Sequence, residues 1–328
     1  MRRRTLIAGT AAATATAAVA TGRAQAQPDW RPQRPVRILV GFAPGGFTDI
    51  LARVLAPRFS DRFGQAFVVE NRPGAAGIIA AEAVANAPPD GHTLLLAHPT
   101  AIAIAPAFSR RLPFDPDRAF APITLLAQQP HVLLVKGDAP YRSVADLVAD
   151  AKARPGALTF ASSGVASVQH VQGELFAASA GIQMTHVPYR GSGPTMADLA
   201  SGQVTMAIDG VAVSAPLIEA GRLKALATSA PRRIARWPDL PTLEESGISG
   251  VPAGSWFGLI APANTPAAVL AALHRAAVEA LPTPEVERAM RNASAEPGGT
   301  SPEQFRAFVQ AELARYRALG ERTQISMD

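Results

Sequence analysis

Predicted strands and helices alternate along almost the whole of this chain, and this alternation restricts its fold more than any other sequence feature. The apolar runs VRILVGF (36–42), FVVE (67–70) and HVLLVK (131–136) are each typical of a buried strand, and each is followed by a helical pattern. Repeated strand–helix units favour mostly parallel sheets with helices on their faces. The sequence therefore predicts an α/β fold.

The length of the chain predicts two lobes. The sequence has 328 residues, and the part that follows a predicted leader is about twice the size of a common domain. The segments near 125–130 and 225–229 are the candidate crossovers. We therefore predict that 27–126 and 227–328 form one lobe and that 127–226 form the other.

Residues 1–26 have the pattern of a signal peptide. Three arginines at 2–4 form a basic start, a weakly apolar Ala/Thr run covers 6–20, and Ala24-Gln25-Ala26 supplies a cleavage site. The run is too short and too rich in alanine for a membrane-spanning helix, which needs about 20 apolar residues. We expect export to the periplasm, by either the general secretory or the twin-arginine route.

The basic charge of the chain does not indicate nucleic-acid binding. Four of the 31 basic residues precede Asp29, whereas all 26 acidic residues lie at or after it, so removing the leader leaves 27 basic side chains against 26 acidic ones. This balance offers no electrostatic footprint for a polyanion. Cysteine is absent, so the fold must be stabilised by its cores rather than by disulfides.

Signatures of common catalytic sites are missing. The chain has no nucleophile elbow, phosphate-binding loop, zinc-protease motif or kinase signature, and its six histidines lack metal-ligand spacing. We therefore predict no catalytic residue, no metal site, no cofactor and no enzymatic activity. A triad assembled from distant residues stays open, so an enzyme acting on small acids on the same two-lobed scaffold is the alternative.

Three loops rich in small residues lie between a predicted strand and a predicted helix. They span 43–49 (APGGFTD), 71–77 (NRPGAAG) and 162–167 (SSGVAS). Ligands of parallel sheets bind at the carboxyl ends of the strands, where such loops lie. Glycine lets a ligand approach the backbone, and free amides at a helix N-terminus attract anions. The loops therefore predict a site for a small anion.

Six phrases point to a family. In chain order they are VGFAPGGFTDILAR, VVENRPGAAG with PPDGHTLLLA, FDPDRAFAPITLLA, THVPYRGSGP with DLASGQV, RWPDLPTLEESG, and WFGLIAPANTP. With these phrases the chain resembles, from Pro35 to Arg317, the substrate-binding receptors of tripartite tricarboxylate transporters, the Bug or TctC-like family. The resemblance implies a periplasmic binding protein of two lobes, type II-like with two crossovers, and a small carboxylate held in the cleft.

The resemblance also implies partners. It indicates delivery of the solute to a two-subunit membrane permease, and we expect the receptor to be a monomer. A sensor subunit that presents its ligand to a membrane kinase is a further alternative.

Carried over by position, the resemblance implies ligand-binding residues in the first loop, in the third loop with the helix that follows it, and at a strand end that faces the cleft. These are Gly45, Gly46, Thr48 and Asp49, then Ser163, Gly164, Ser167 and His170, and finally Asp209.

Several of these residues have ordinary structural alternatives. Asp49 could instead complement the dipole of the helix that it begins, for roughly 0.3–1 kcal/mol. Thr48 could be an N-cap, His170 a half-buried histidine, and Asp209 a support for a neighbouring loop.

Arginine is the obvious carboxylate partner by type, since guanidinium offers a bidentate fork, and Arg72 and Arg190 are the candidates. Neither the first nor the third loop contains a basic residue, so we predict that amides and hydroxyls dominate and that arginine is secondary. Phe47 and Ala166 stand where the family has a small residue and a glycine, which affects the choice of acid rather than the class of ligand.

Overall fold

The computed structural model describes residues 30–109 and 111–321, so the predicted signal peptide lies outside the described residues. The strands are β1 (Val36–Val40), β2 (Phe67–Asn71), β3 (Thr93–Ala97), β4 (Phe120–Lys136), β5 (Thr159–Ser162), β6 (Thr185–Pro188), β7 (Met206–Gly210), β8 (Leu223–Thr228), β9 (Gly254–Pro262) and β10 (Glu296–Pro297). The helices are α1 (Phe47–Phe63), α2 (Ile78–Ala85), α3 (Ala105–Phe108), α4 (Val144–Ala153), α5 (Val168–Ala180), α6 (Ser192–Ser201), α7 (Val211–Glu219), α8 (Ala267–Ala280), α9 (Pro284–Asn292) and α10 (Pro302–Gly320). Among these described helices, none combines the length and apolar character that crossing a membrane requires.

One sheet runs through both halves of the molecule, and the long strand β4 belongs to each half. The strand order is β2-β1-β3-β9-β4 in the first half and β4-β7-β5-β6 in the second, where β8 pairs with the other edge of β4. β1 to β3 are parallel, as are β5 to β7, whereas β4, β8 and β9 run antiparallel to their neighbours. We call the half built on β1–β3 lobe 1 and the half built on β5–β7 lobe 2. The predicted α/β fold with two lobes is confirmed.

The chain passes between the lobes twice. β4 pairs with β9 as far as Pro130 and with β7 from His131, so the first crossover lies inside one strand. After β8, Leu243 and Ile248 still pack in a core cluster of lobe 2, and β9 begins only at Gly254. The lobe boundaries expected from the sequence stay a prediction, and from this packing we propose that the return lies near residue 253 rather than 227.

Capping differs between the helices that begin at the cleft. Ser167 Oγ accepts the His170 amide at 3.2 Å and so caps α5. Gly46 precedes α1 and offers no side chain for a cap. The first amides of α1 therefore lack the side-chain partner that α5 has.

The two lobes are in direct contact. Ala166, Val168 and Val171 of lobe 2 pack in one apolar cluster with Ala101 and Ile102 of lobe 1. These last two residues belong to a π-helical turn, Thr100–Ile104, that precedes α3. The cleft is thus closed on one side by packed side chains.

Candidate ligand-binding site

A small cavity of about 40 Å³ lies between the lobes. Residues that follow β1, β3 and β5, with the end of β7, meet around it, which is where ligands bind in open parallel sheets. We call it the interlobe cavity. Lobe 1 contributes Phe42, Ala43, Gly46, Phe47, Thr48, His98, Ser255 and Phe257, lobe 2 contributes Ser163, Gln169, Ser192, Asp209, Gly210 and Val213, and β4 contributes Gln129 and His131.

The N-terminus of α1 faces this cavity across Gly46. Gly46 is extended (φ −77°, ψ 163°), a conformation open to any residue. A Cβ at this position would meet no atom of the described residues within 4 Å, so the backbone here is accessible from the cavity. Thr48, buried in the first turn, also lines the cavity. Lobe 1 therefore presents helix N-terminal amides of the kind that attract anions.

Asp49 fastens the first loop instead of lining the cavity. Its Oδ1 accepts from Arg53 Nε and Asn71 Nδ2, each at 2.9 Å, and its Oδ2 accepts from the Gly45 amide at 3.1 Å. Burial alone would raise the pKa of Asp49, but these donors outweigh burial and hold the pKa below its ordinary value. Gly45, with φ of +96°, turns its amide onto this carboxylate and does not line the cavity either.

Lobe 2 presents a row of hydrogen-bonded polar side chains. Ser163 Oγ donates to Gln169 Oε1 at 2.8 Å, and Gln169 Nε2 donates to Asp209 Oδ1 at 3.0 Å. Ser192 Oγ (3.0 Å) and the Gly210 amide (2.7 Å) donate to the same Oδ1. All five residues line the interlobe cavity. The row fixes one oxygen of Asp209 with three donors.

The other oxygen of Asp209 is unpaired. Asp209 is 2% exposed, and its Oδ2 has no hydrogen-bond partner among the described residues. Leaving a buried charged group without its partner costs more than leaving a neutral one. The site therefore contains one unmatched acceptor.

Gly164 and Ser167 shape the third loop without lining the cavity. Gly164 has φ of +142°, a conformation that favours glycine, and a Cβ on it would make only an ordinary contact, at 4.0 Å, with Ala76 of lobe 1. Ser167 is fully buried as the cap of α5. Ligand contact by these two residues stays a prediction.

His170 lies behind the third loop. Its Nδ1 accepts the Ala166 amide at 2.9 Å, and its ring stacks on His186 with centroids 3.8 Å apart. His186 Nε2 is 2.7 Å from Ser162 Oγ. Burial and the neighbouring His170 lower the pKa of His186 to about 4. The two rings therefore support the loop backbone, and ligand contact by His170 also stays a prediction.

Two histidines at the cavity were not among the residues expected from the sequence. Burial, and then the neighbouring His131, lowers the pKa of His98 to about 3. The His98 ring is therefore neutral at pH 7. Burial likewise lowers the pKa of His131, against the opposing effects of the Asp209 charge and of Gln172. The Nδ1 atom of His131 is 2.8 Å from Gln172 Oε1, and its Nε2 is 3.0 Å from Ser255 Oγ. The positions of the two histidines, just after β3 and at the crossover in β4, are the sequence signal that could have found them.

No lysine or arginine is among the described residues that line the interlobe cavity. Arg72 pairs with Glu70 (Nε to Oε2, 3.3 Å), and Arg190 is exposed. Trp256 packs edge-on against Phe305 and is not among the residues that line the interlobe cavity.

In the part of the chain that the structure describes, no three histidine, aspartate or glutamate side chains are grouped so as to hold a metal ion.

A second and larger cavity, of about 670 Å³, lies on lobe 2 alone. Arg142 and Ser143 at the start of α4, the strand segment 223–226 and Trp237 line it. It lies along the edge strand β8, away from the carboxyl ends of the parallel strands of both lobes. We favour the interlobe cavity as the ligand site because strand ends, a free helix N-terminus and an unpaired buried carboxylate oxygen meet there.

Comparison with known proteins gives a family match over most of the chain. The model of the tripartite tricarboxylate transporter family receptor, TctC, matches residues 51–325. A protein of the tcbD-tcbE intergenic region of Pseudomonas sp. strain P51 is 36% identical over 97% of this chain and 93% of its own length. Protein BugT of Bordetella pertussis is 35% identical over 90% of this chain and 91% of its own length.

Solved structures share the fold closely. A Rhodopseudomonas palustris protein with adipate, Rpa4515, has 38% identity and a TM-score of 0.85 over 88% of this chain and 97% of its own. MatC of Rhodopseudomonas palustris, with bound malate, has 32% identity and a TM-score of 0.84 over 88% and 99%. The periplasmic binding protein BugD has 32% identity and a TM-score of 0.85 over 90% and 99%.

Proposed function

Because this chain belongs to the tripartite tricarboxylate transporter receptor family, whose members are periplasmic solute-binding receptors and not enzymes, we propose that it binds a small organic carboxylate in the interlobe cavity. The observation that carries the proposal is the pair of facing polar surfaces. Lobe 1 offers the free amides of α1 beside Gly46, and lobe 2 offers the polar side chains of Ser163, Ser192 and Asp209, with the hydroxyl protons of both serines already donated within the lobe. Adipate and malate in the two related structures support the same class of ligand.

Amide and hydroxyl donors suffice energetically without an ion pair to the ligand carboxylate. A hydrogen bond to a charged group contributes about 1.5–3 kcal/mol, so four or five give roughly 6–15 kcal/mol before the costs of ordering and lobe closure. Micromolar affinity requires about 8 kcal/mol net. The lack of lysine and arginine among the described lining residues is therefore compatible with a carboxylate ligand.

We further propose that the ligand shifts the lobes toward the closed arrangement. Gly164 faces Ala76 across the cleft, and a Cβ on Gly191 of lobe 2 would lie 3.9 Å from Ala43 of lobe 1. A ligand that contacts both lobes favours this arrangement by its extra affinity for it. Small-angle scattering should give a smaller radius of gyration with saturating ligand than without it.

We propose that the receptor is exported to the periplasm and is a monomer there. Its proposed partner is a two-subunit membrane permease. Uptake of radiolabelled solute tests the delivery step. It is measured in cells with and without this receptor and with and without the permease genes, and it should require both the receptor and the permease. Solute-dependent phosphorylation of a membrane kinase with no effect on uptake would support the sensor alternative instead.

A thermal-shift panel of small carboxylates tests the binding itself. A ligand that binds the native state raises its stability by about 2.7 kcal/mol at a hundred times its Kd. At least one dicarboxylate, hydroxy acid or amino acid of three to six carbons should therefore raise the melting temperature by several degrees. A panel with no shift at millimolar concentration would contradict the proposal.

A further inference from the structure

Asp209 is the one side chain with a formal charge among the described residues that line the interlobe cavity. Burial lowers the pKa of both histidines of the lining, His98 and His131, although the charge of Asp209 partly opposes this shift at His131. A carboxylate ligand seated on the α1 amides would therefore add a second negative charge to a cavity whose described lining contains no lysine or arginine.

The hydrogen bonds of Asp209 show which of its oxygens lacks a donor. Oδ1 accepts from Gln169, Ser192 and the Gly210 amide, so the protein already provides donors for this oxygen. Oδ2 has no hydrogen-bond partner among the residues that the structure describes, and Asp209 is 2% exposed. A buried anionic oxygen is stable when a donor, and best a cation, pairs with it. The lining residues do not supply that donor, so the ligand is its natural source.

We propose that the solute carries an ammonium group as well as a carboxylate, and that this ammonium pairs with Asp209 Oδ2; this inference rests on the proposed function. The ligand class is then an amino acid, with its carboxylate at the Gly46 amides of lobe 1 and its ammonium at lobe 2. One molecule thereby joins the two lobes, and its ammonium offsets the negative charge that its carboxylate adds to the cavity.

The apolar part of the lining fits the rest of such a ligand. Phe47 and Phe257 of lobe 1 pack edge-to-face, with ring centroids 4.9 Å apart, and both line the cavity together with Val213 of lobe 2. These surfaces are suited to methylene groups between the polar ends of the solute. Adipate and malate, bound by the related proteins, lack an ammonium group, so the proposal assigns this chain a solute different from both.

Calorimetry with matched acids tests the proposal. The probes are succinate, malate and aspartate, then glutarate, 2-hydroxyglutarate and glutamate, then adipate and 2-aminoadipate, so that only the substituent changes within a series. In the wild-type protein, the amino acid of the best series should bind at least tenfold more tightly than its unsubstituted and hydroxylated counterparts. In Asp209→Asn this advantage should fall to threefold or less, while the unsubstituted acid binds as well or better.

A matched control is Asp150→Asn, which removes a carboxylate from α4 of the same lobe, outside the cavity, and should keep the wild-type ranking. Equal or preferred binding of the unsubstituted or hydroxy acids by wild-type protein overturns the ammonium pairing and leaves the proposed function standing. Absence of binding by every probe overturns the proposed function, and the pairing with it. If Asp209→Asn does not fold, the wild-type ranking decides.

Discussion

Asp49 and Asp209 make an instructive pair, because both are aspartates buried beside the same cleft, one in each lobe. Asp49 is 4% exposed and Asp209 is 2% exposed. Both oxygens of Asp49 have partners, including the guanidinium of Arg53. Asp209 has three donors on one oxygen and none among the described residues on the other. Burial alone therefore does not separate a carboxylate whose two oxygens are paired from one with an open oxygen, whereas a count of partners for each oxygen does.

The two sides of the cavity consequently have different tasks in this account. In lobe 1 the Asp49 carboxylate binds the loop backbone, and the backbone at Gly46 is open to the cavity. In lobe 2 hydroxyl and amide side chains bind the Asp209 carboxylate, which lines the cavity. We expect lobe 1 to bind the anionic end of a solute and lobe 2 to select its substituent.

The largest expected effect is on the lobe 1 side, with Gly46→Val. The valine side chain fits the extended backbone and meets no protein atom at Cβ, so it occupies the cavity without unfolding the chain. Binding of the best carboxylate should weaken at least a hundredfold, about 2.7 kcal/mol. Calorimetry on folded protein measures the loss.

Gly193→Val provides the matched control for that variant. Gly193 lies in α6, its Cβ position is also free of contacts, and it does not line the cavity. This variant should bind like the wild type. Normal binding by Gly46→Val would mean that the anion is held elsewhere.

Buried His98 in lobe 1 and half-buried His186 in lobe 2 predict a loss of stability in acid. The ordinary histidine pKa is about 6.5, whereas the folded values are lowered to about 4 for His186 and about 3 for His98. Below about pH 6.5 the unfolded chain binds the protons first, so the free energy of unfolding falls as pH drops, by up to about 1.4 kcal/mol per pH unit for each ring. The contribution of His186 stops growing near pH 4.

Urea unfolding at intervals between pH 7.5 and 4 measures this dependence. His186→Gln should reduce the slope below about pH 6.5, because the pKa of His186 no longer contributes to it. A stability that is independent of pH between about 6.5 and 4 would show that the pKa values of these rings are not lowered by the fold.

A smaller effect separates the two aspartates directly. Asp49→Asn removes the charge from three hydrogen bonds. We expect it to lower the free energy of unfolding by about 2 kcal/mol, a figure that already allows for the weaker contribution of the exposed Arg53. Asp209→Asn removes a buried charge that has no cationic partner among the described residues, keeps an acceptor for the three donors of Oδ1, and should leave the free energy of unfolding unchanged or raise it. Denaturant unfolding of both variants at pH 7 checks this. The opposite ranking would contradict the assignment of roles.

The smallest effects concern arginine. Arg72 is paired with Glu70 and Arg190 is exposed, and neither lines the cavity. Alanine at either position should cost less than about 1.5 kcal/mol of binding free energy, the scale of a modest hydrogen bond. A hundredfold loss of affinity in a calorimetric titration would move the site toward that arginine.

Much of the fold was predictable because its signals are local. Apolar runs followed by helical patterns predict the α/β fold, and small residues after strands predict that Gly46, Thr48 and Ser163 lie near a cavity. These inferences need only the nearest neighbours in sequence.

The roles of individual polar side chains were not predictable, because distant partners set them. Asp49 is turned from the cavity by Asn71, on β2, 22 residues away. His170 is drawn behind the third loop by His186. Gln129 and His131 reach the cavity only because β4 continues from one lobe into the other. None of these pairings has a signature in the sequence.

Hydrogen–deuterium exchange with and without the best-binding carboxylate tests the central claim most directly, since it reports on the amides of both lobes in one experiment. We predict that saturating ligand slows exchange in the Gly45–Asp49 loop of lobe 1 and in the Ser163–Ser167 loop of lobe 2 together. Protection confined to one lobe, or to the segments 143–147 and 223–226 beside the larger cavity on lobe 2, would contradict binding between the lobes.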